Sequence, residues 1–232
     1  MADGRWLGKF TTVIRAVLTL GCVCWLAACA SAGPADSASA DIAKVAGVRS
    51  SFGPEFHVTN IAPTGIDPKL LAGQKLPGGL KFEPPNCAKV AAAPAVPPGL
   101  QGNMAAVSAE GEGNRFIAIA VETSRPVPVN DPGTGCQKVG FAGGSVRGVI
   151  EVVDAPRIAG TRTFGVHRIL QTVIDGQTRT GEVYNYSAHF GNYQVIVTAN
   201  PLVLPDKPVA AVNTQRAREL LTTAVAAVKN SP

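Results

Sequence analysis

Catalysis and metal binding need nucleophiles, bases and ligands at working spacings, and this chain is sparing with all three. Its only histidines are His57, His167 and His189, and its five cysteines are Cys22, Cys24, Cys29, Cys87 and Cys136. No CxxC, HxxxH or HExxH spacing occurs, so the sequence indicates neither a zinc centre nor a redox dithiol. Gly143-Gly144-Ser145-Val146-Arg147 places a serine as in a GxSxG elbow but ends in arginine where that motif needs glycine. Gly111-Glu112-Gly113 has the glycines of a phosphate loop without the following Lys-Ser/Thr and helix, and reads more plainly as a hairpin turn. No acid and base carboxylates stand out as a pair. Each histidine is read as a strand residue making ordinary hydrogen bonds. No catalytic or metal-binding residue is assigned and no cofactor is expected; an envelope hydrolase is the minor alternative.

The crowded cysteines near the start speak of location instead. Arg5, Lys9 and Arg15 precede an uncharged run from Ala16 to Ala28, the basic and hydrophobic regions of an export signal. Thirteen residues reach roughly 20 Å as a helix, short of a hydrocarbon core of about 30 Å, so a permanent transmembrane helix is not expected. Leu26-Ala27-Ala28-Cys29 resembles the lipobox of bacterial lipoproteins. Val23 is too bulky a cleavage residue ahead of Cys24, and Cys22 has too short an apolar run behind it. Residues 1–28 are therefore read as a lipoprotein signal peptide and Cys29 as the lipidated (palmitate-bearing) first residue of the mature chain. An ordinary secretory cut near Ala30 or Ala32 is the alternative. Two or three acyl chains, each buried methylene contributing about 0.8 kcal/mol, make such an anchor effectively permanent. Residues 29–40 then hold the lipidated cysteine and a flexible tether, whose Ala30–Ser39 part reaches roughly 17 Å and keeps the domain at the outer face of the cell membrane.

The rest of the chain must fold by itself. Residues 41–230 are read as one domain, long enough to bury about 70% of its unfolded surface. With 46% hydrophobic and 16% charged residues, 25 glycines and 18 prolines, the chain is globular and loop-rich, not disordered. Beyond residue 28 there remain 18 Lys and Arg against 15 Asp and Glu, a net +3, scattered and without interleaved aromatics. Nucleic acid is not an expected partner. Cys87 and Cys136 are the two cysteines left in the mature body, and in an oxidising compartment they are expected to pair. A thiol nucleophile or metal ligands are the alternative use.

Periodicity outlines the elements that would carry any site. Ser39 to Phe52 reads as a helix capped by Ser39 and stopped by Gly53; Glu55 to Ala62 reads as a strand. The stretch from Pro63 to Pro98 is dense in proline and glycine and allows only short helical turns, around Asp67 to Ala72 and Asn86 to Ala93. Ala105 to Thr123 is a hairpin. Thr161 to Asn200 is a three-stranded meander with turns at Asp175-Gly176 and Gly191-Asn192. In that register Tyr184, Tyr186, Ala188 and Phe190 share a face with Tyr193, Val195 and Val197, and His167 stands opposite Tyr184. From Asn213 to Lys229 an apolar stripe of Ala217, Leu220, Leu221, Ala224, Val225 and Val228 marks an amphipathic helix. The expected fold is α+β: a two-layer, mostly meander antiparallel sheet covered by N- and C-terminal helices, with one disulfide.

The lipobox at Cys29, "PPNCAKVAA" around Cys87, "GTGCQKVGF" around Cys136, "DAPRIAGTRTFGV" from Asp154, the aromatic meander and the Ala/Leu-rich last helix together resemble small mycobacterial cell-envelope lipoproteins of unknown function. These are distantly similar to the PknH-like extracellular sensor domain of Ser/Thr kinases. The resemblance implies an actinobacterial envelope lipoprotein with an α+β fold, and it supports pairing Cys87 with Cys136. It brings no catalytic residues, and the kinase sensor domain is generally described with two disulfides where this chain can make one.

The expected function is a non-catalytic, sensor-like binding module, its partner an envelope protein, glycan or lipid. Its candidate ligand face is His167, Tyr184, Tyr186, Phe190 and Tyr193, with a core role for the same residues as the plainer reading. Carriage of a lipid or other apolar ligand in a pocket between sheet and helix is the alternative.

Overall fold

The longest hairpin in the molecule is set by a two-residue turn. Asp175 and Gly176 both take positive φ, 51° and 76°, the type I′ geometry that matches strand twist, and they join β7 (Arg162–Ile174) to β8 (Gln177–Phe190) in unbroken register. A second tight turn at Gly191-Asn192 leads into β9 (Tyr193–Pro201). The computed structural model describes residues 40–66, 76, 78–91, 97–129, 131–205 and 207–229, apart from the side chain of Val90. The signal, Cys29 and the tether lie outside the described residues, as do Ser39 and the turn expected at Asp67 to Ala72.

The meander is the middle of a larger sheet. A hairpin of β3 (Gly102–Gly111) and β4 (Asn114–Thr123) pairs through β4 with β9, and β1 (His57–Gly65) pairs with β3. On the other side β6 (Val146–Val153) pairs with β7, β5 (Lys138–Gly143) with β6, and the short β2 (Lys81–Glu83) with β5. Among the described residues nine strands form one antiparallel sheet, in the order β1-β3-β4-β9-β8-β7-β6-β5-β2. No described helix is long and apolar enough to cross a membrane.

Several expectations change in detail. The first helix is a 3₁₀ helix over Ile42–Ser51, and its cap is Asp41, whose Oδ1 accepts the Ala43 N–H at 2.8 Å. The reason lies in the spacing of its buried residues. Ile42, Val45 and Val48 recur every three positions, and three residues per turn is the 3₁₀ repeat, which stacks i and i+3 on one face. The first strand runs to Gly65, beyond Ala62, with a register shift between Ile61 and Thr64. Pro63, which lacks an N–H, lies inside that shift on an edge strand that can tolerate it. Three strands, β2, β5 and β6, were not foreseen. Among the described residues, Gly143 to Arg147 is the end of β5, a two-residue Gly144-Ser145 turn and the start of β6, not a nucleophile elbow.

The covering of the sheet is staggered between its two faces. On one face, here the helix face, α2 (Thr214–Lys229) packs on β9, β8 and β4, and the 3₁₀ helix packs on β3, β4, β1 and α2. The α2 stripe, Ala217, Leu220, Leu221, Ala224, Val225 and Val228, is buried against Phe116, Ala118, Tyr186, Ala188, Val195 and Val197. Asn213 caps α2 by accepting the Arg216 N–H, and buried Asn114, accepting the Asn213 N–H and donating to the Glu112 carbonyl, ties that cap to the β3–β4 turn. At the far end the Asp41 N–H bonds the Val228 carbonyl, so the chain enters the fold beside the last turn of α2.

On the opposite face the second half of the sheet is covered. Val139, Phe141 and Ile150 pack with Phe82, Leu80, Cys87 and α1 (Ala88–Ala91), and Cys87 is joined to Cys136 with Cα atoms 5.5 Å apart. The N- and C-terminal helices therefore cover only the β1-to-β8 half of their face. Its β7–β6–β5–β2 half carries no helix among the described residues.

Candidate ligand-binding face

The ground that no described helix covers is ordered by strand register into cross-strand rows. One row runs Lys81, Ala142, Arg147 and Gln171 on β2, β5, β6 and β7. The next runs Glu83, Gly140, Val149 and Ile169, and the third, adjoining the covered core, runs Lys138, Glu151, His167 and Tyr184. Rows two residues apart on a strand lie about 7 Å apart, and β2 and β6 stand two strand spacings, about 10 Å, from each other.

The first two rows form an open trough of about 510 Å³. Its floor is β5, where the side chains are only Gly140 and Ala142. A Cβ added at Gly140 would meet nothing nearer than the Glu83 carbonyl oxygen at 3.8 Å. The walls are Lys81 and Glu83 on one side, Arg147, Val149, Ile169 and Gln171 on the other. The opposite situation holds one strand away and on the other face. There Gly148 is roofed by Phe141, directly across from it, and a Cβ would collide with that ring and with the Ile169 carbonyl. Glycine thus serves packing at one position and leaves open space at the other.

Arg147 donates from Nε to Gln171 Oε1 at 2.7 Å, which fixes its guanidinium against the wall while its two terminal nitrogens remain available. Among the described residues neither Arg147 nor Lys81 lies within ion-pair distance of a carboxylate. The charged groups of the third row, by contrast, are engaged with one another and with Glu182 on β8. Lys138 Nζ meets Glu151 Oε1 at 2.6 Å, Glu151 Oε2 lies 3.6 Å from His167 Nδ1, and His167 Nε2 lies 2.9 Å from Glu182 Oε1. The hydrogen bond from Lys138 holds the Glu151 carboxyl below its ordinary pKa, with burial opposing. Burial, then the Glu182 carboxylate, pushes the Tyr184 phenol above its usual pKa.

The five residues of the expected ligand face lie on one sheet face, but they are not one open surface. Tyr186 and Phe190 are 2% and 7% exposed beneath α2 and belong to the core. Tyr193 is half-buried at the opposite end, its hydroxyl donating to Glu122 Oε1 at 3.0 Å. Tyr184 and His167 mark the boundary, stacked on each other, with His167 9% exposed. Among the described residues the α2 stripe meets the sheet directly, and the trough stands one row beyond His167. In "KVGFAGGSVRGVIEVV" the serine of a near-GxSxG spacing draws attention away from the lining residues. The usable signal of the stretch is Val139 and Phe141 alternating up to a Gly-Ser turn, then Ile150 and Val152 after it, a hairpin signature.

Residues 41–229 match the model of a family described as a domain of unknown function, DUF5642. The X-ray structure of an uncharacterised Mycobacterium smegmatis protein, an Rv0999 ortholog, is 66% identical, with a TM-score of 0.78 over 83% of this chain and 98% of its own. The extracellular domain of PknH from Mycobacterium tuberculosis aligns over 80% of this chain and 91% of its own at 13% identity and a TM-score of 0.35, too distant to support an argument. No curated protein matches. The matched span takes in the helices, the disulfide-clamped half of the sheet and the trough alike, and on that evidence this chain belongs to the DUF5642 family.

Proposed function

We propose that this protein is an exported, lipid-tethered envelope domain that acts by binding, without chemistry of its own, and that it binds on the uncovered half of the helix face. The observation that carries the reading is the trough: a groove of ligand size whose wall cations, Lys81 and Arg147, have no acidic partner among the described residues. The Cys87–Cys136 bridge supports an oxidising compartment, and the lipobox supports an anchor at Cys29. The charged side chains nearest the groove, Lys138, Glu151, His167 and Glu182, are engaged with one another, an arrangement that suits a structural border better than a poised acid–base pair.

Proximity labelling in the native envelope tests this. The anchored wild type is compared with a tether-only control and with an Ala142→Leu variant, which narrows the trough at an exposed floor position. Enrichment of a protein, glycan or lipid neighbour by the wild type, reduced in the variant, supports binding at this face. No enrichment over the tether removes the reading. For the anchor, a Cys29→Ala protein still labelled by palmitate would refute lipidation at that sulfur.

A further inference from the structure

The trough is polarised along its length. At its outer row Lys81 and Arg147 face each other across Ala142, a separation set by two strand spacings, about 10 Å backbone to backbone. One row inward the floor is Gly140 and the far wall is the apolar pair Val149 and Ile169. Among the described residues Glu83 is the one carboxylate of the lining, and it stands in this inner row. An anion is therefore disfavoured there and favoured in the outer row, about 7 Å away. Both cations are exposed, and Arg147 is braced by Gln171, so its free fork can meet a carboxylate or phosphate on two bonds. Strands about 10 Å apart backbone to backbone, narrowed by their side chains, suit one extended alkyl chain between the walls.

We infer that the trough binds a single-chain anionic amphiphile, its carboxylate or phosphate held between Lys81 and Arg147 and its chain lying on Gly140, Val149 and Ile169. This rests on the proposed binding role and names its ligand class. The inferred ligand is a free amphiphile and not a bilayer lipid: the groove over Gly140 suits one chain, where a bilayer phospholipid carries two.

The test uses the full-length protein in nanodiscs of zwitterionic phosphatidylcholine, with empty discs as blank, titrated calorimetrically with octyl phosphate and octanoate. Inorganic phosphate, octanol and octylammonium serve as head-only, chain-only and reversed-charge probes. The expected result is saturable binding of both anionic amphiphiles, at least tenfold tighter than any of the three controls. Lys81→Gln and Arg147→Gln should each weaken it threefold or more, and Ala142→Leu tenfold or more. Gly140→Leu offers a second way to fill the trough, and retention of the thermal melt shows that either variant has folded. Equal affinity for inorganic phosphate, for octanol or for octylammonium overturns the inference, as does unchanged binding in folded trough-filled variants. Binding seen only when anionic phosphatidylglycerol replaces part of the disc lipid overturns it in favour of a membrane surface. If Ala142→Leu abolishes envelope labelling yet neither amphiphile binds, the binding role stands and only the ligand class fails.

Discussion

His167 and Tyr184, directly opposite each other on β7 and β8, stack with ring centroids 4.0 Å apart and planes 7° from parallel. The stack lies at the border between the core under α2 and the open trough. Both His167 nitrogens face carboxylates, Glu151 on β6 and Glu182 on β8, so one ring ties three strands together.

The stack should be energetically real. In urea unfolding, a double-mutant cycle of His167→Leu, Tyr184→Leu and both together should give a coupling of about 1 kcal/mol. Additive effects would mean that the rings merely lie side by side.

The disulfide should hold one half of the sheet more than the other. The Cys87→Ala/Cys136→Ala double variant removes the closure of a 49-residue separation and should lose about 4 kcal/mol. Hydrogen exchange should speed up most in β5 and β6, beneath Cys87 and α1, and least in β9. Uniform acceleration along the sheet would contradict this local role.

His189 should make the fold acid-sensitive. Burial, with a smaller contribution from Arg162, lowers its pKa to about 4 from the ordinary 6.5. In the unfolded chain it takes up a proton below about pH 6.5, whereas the native state resists until about pH 4. Stability from the neutral ring is thus fully present above pH 6.5 and is lost as pH falls through that window. The loss is on the order of 2 kcal/mol. His189→Gln should flatten the difference in unfolding free energy between pH 7 and pH 4.5; an unchanged slope would assign the sensitivity to other groups.

Two glycines on neighbouring strands should respond in opposite directions. Gly148→Ala drives a methyl into the Phe141 ring and the Ile169 carbonyl and should cost about 1–3 kcal/mol. Gly140→Ala meets open space and should be neutral or raise stability by up to about 1 kcal/mol. Equal losses in thermal melts would show that no trough exists above Gly140.

Features written in local spacing were legible in the chain itself. Asp175-Gly176 and Gly191-Asn192 fixed the meander and hence which aromatics share a face, because a two-residue turn leaves no freedom of register. The α2 stripe was readable for the same reason: its partners all lie along one helix. The first helix shows the limit of local spacing: Ile42, Val45 and Val48 fit a 3.6-residue turn loosely and a three-residue turn closely, and the structure takes the latter.

Only the tertiary structure decided that β5, β6 and β2 extend the sheet. Gly140, Gly143 and Gly148 weaken any strand judged alone, and their justification is non-local. Phe141 fills the space over Gly148, while nothing described fills the space over Gly140. The candidate site followed the same rule. His167, Tyr184, Tyr186, Phe190 and Tyr193 share a face by local register, yet which of them stays open depends on where α2 ends, and α2 is brought there by packing across more than twenty residues of chain. Lys81, Arg147 and Gln171 come together because strands distant in sequence pair side by side, a proximity that no spacing within the chain encodes.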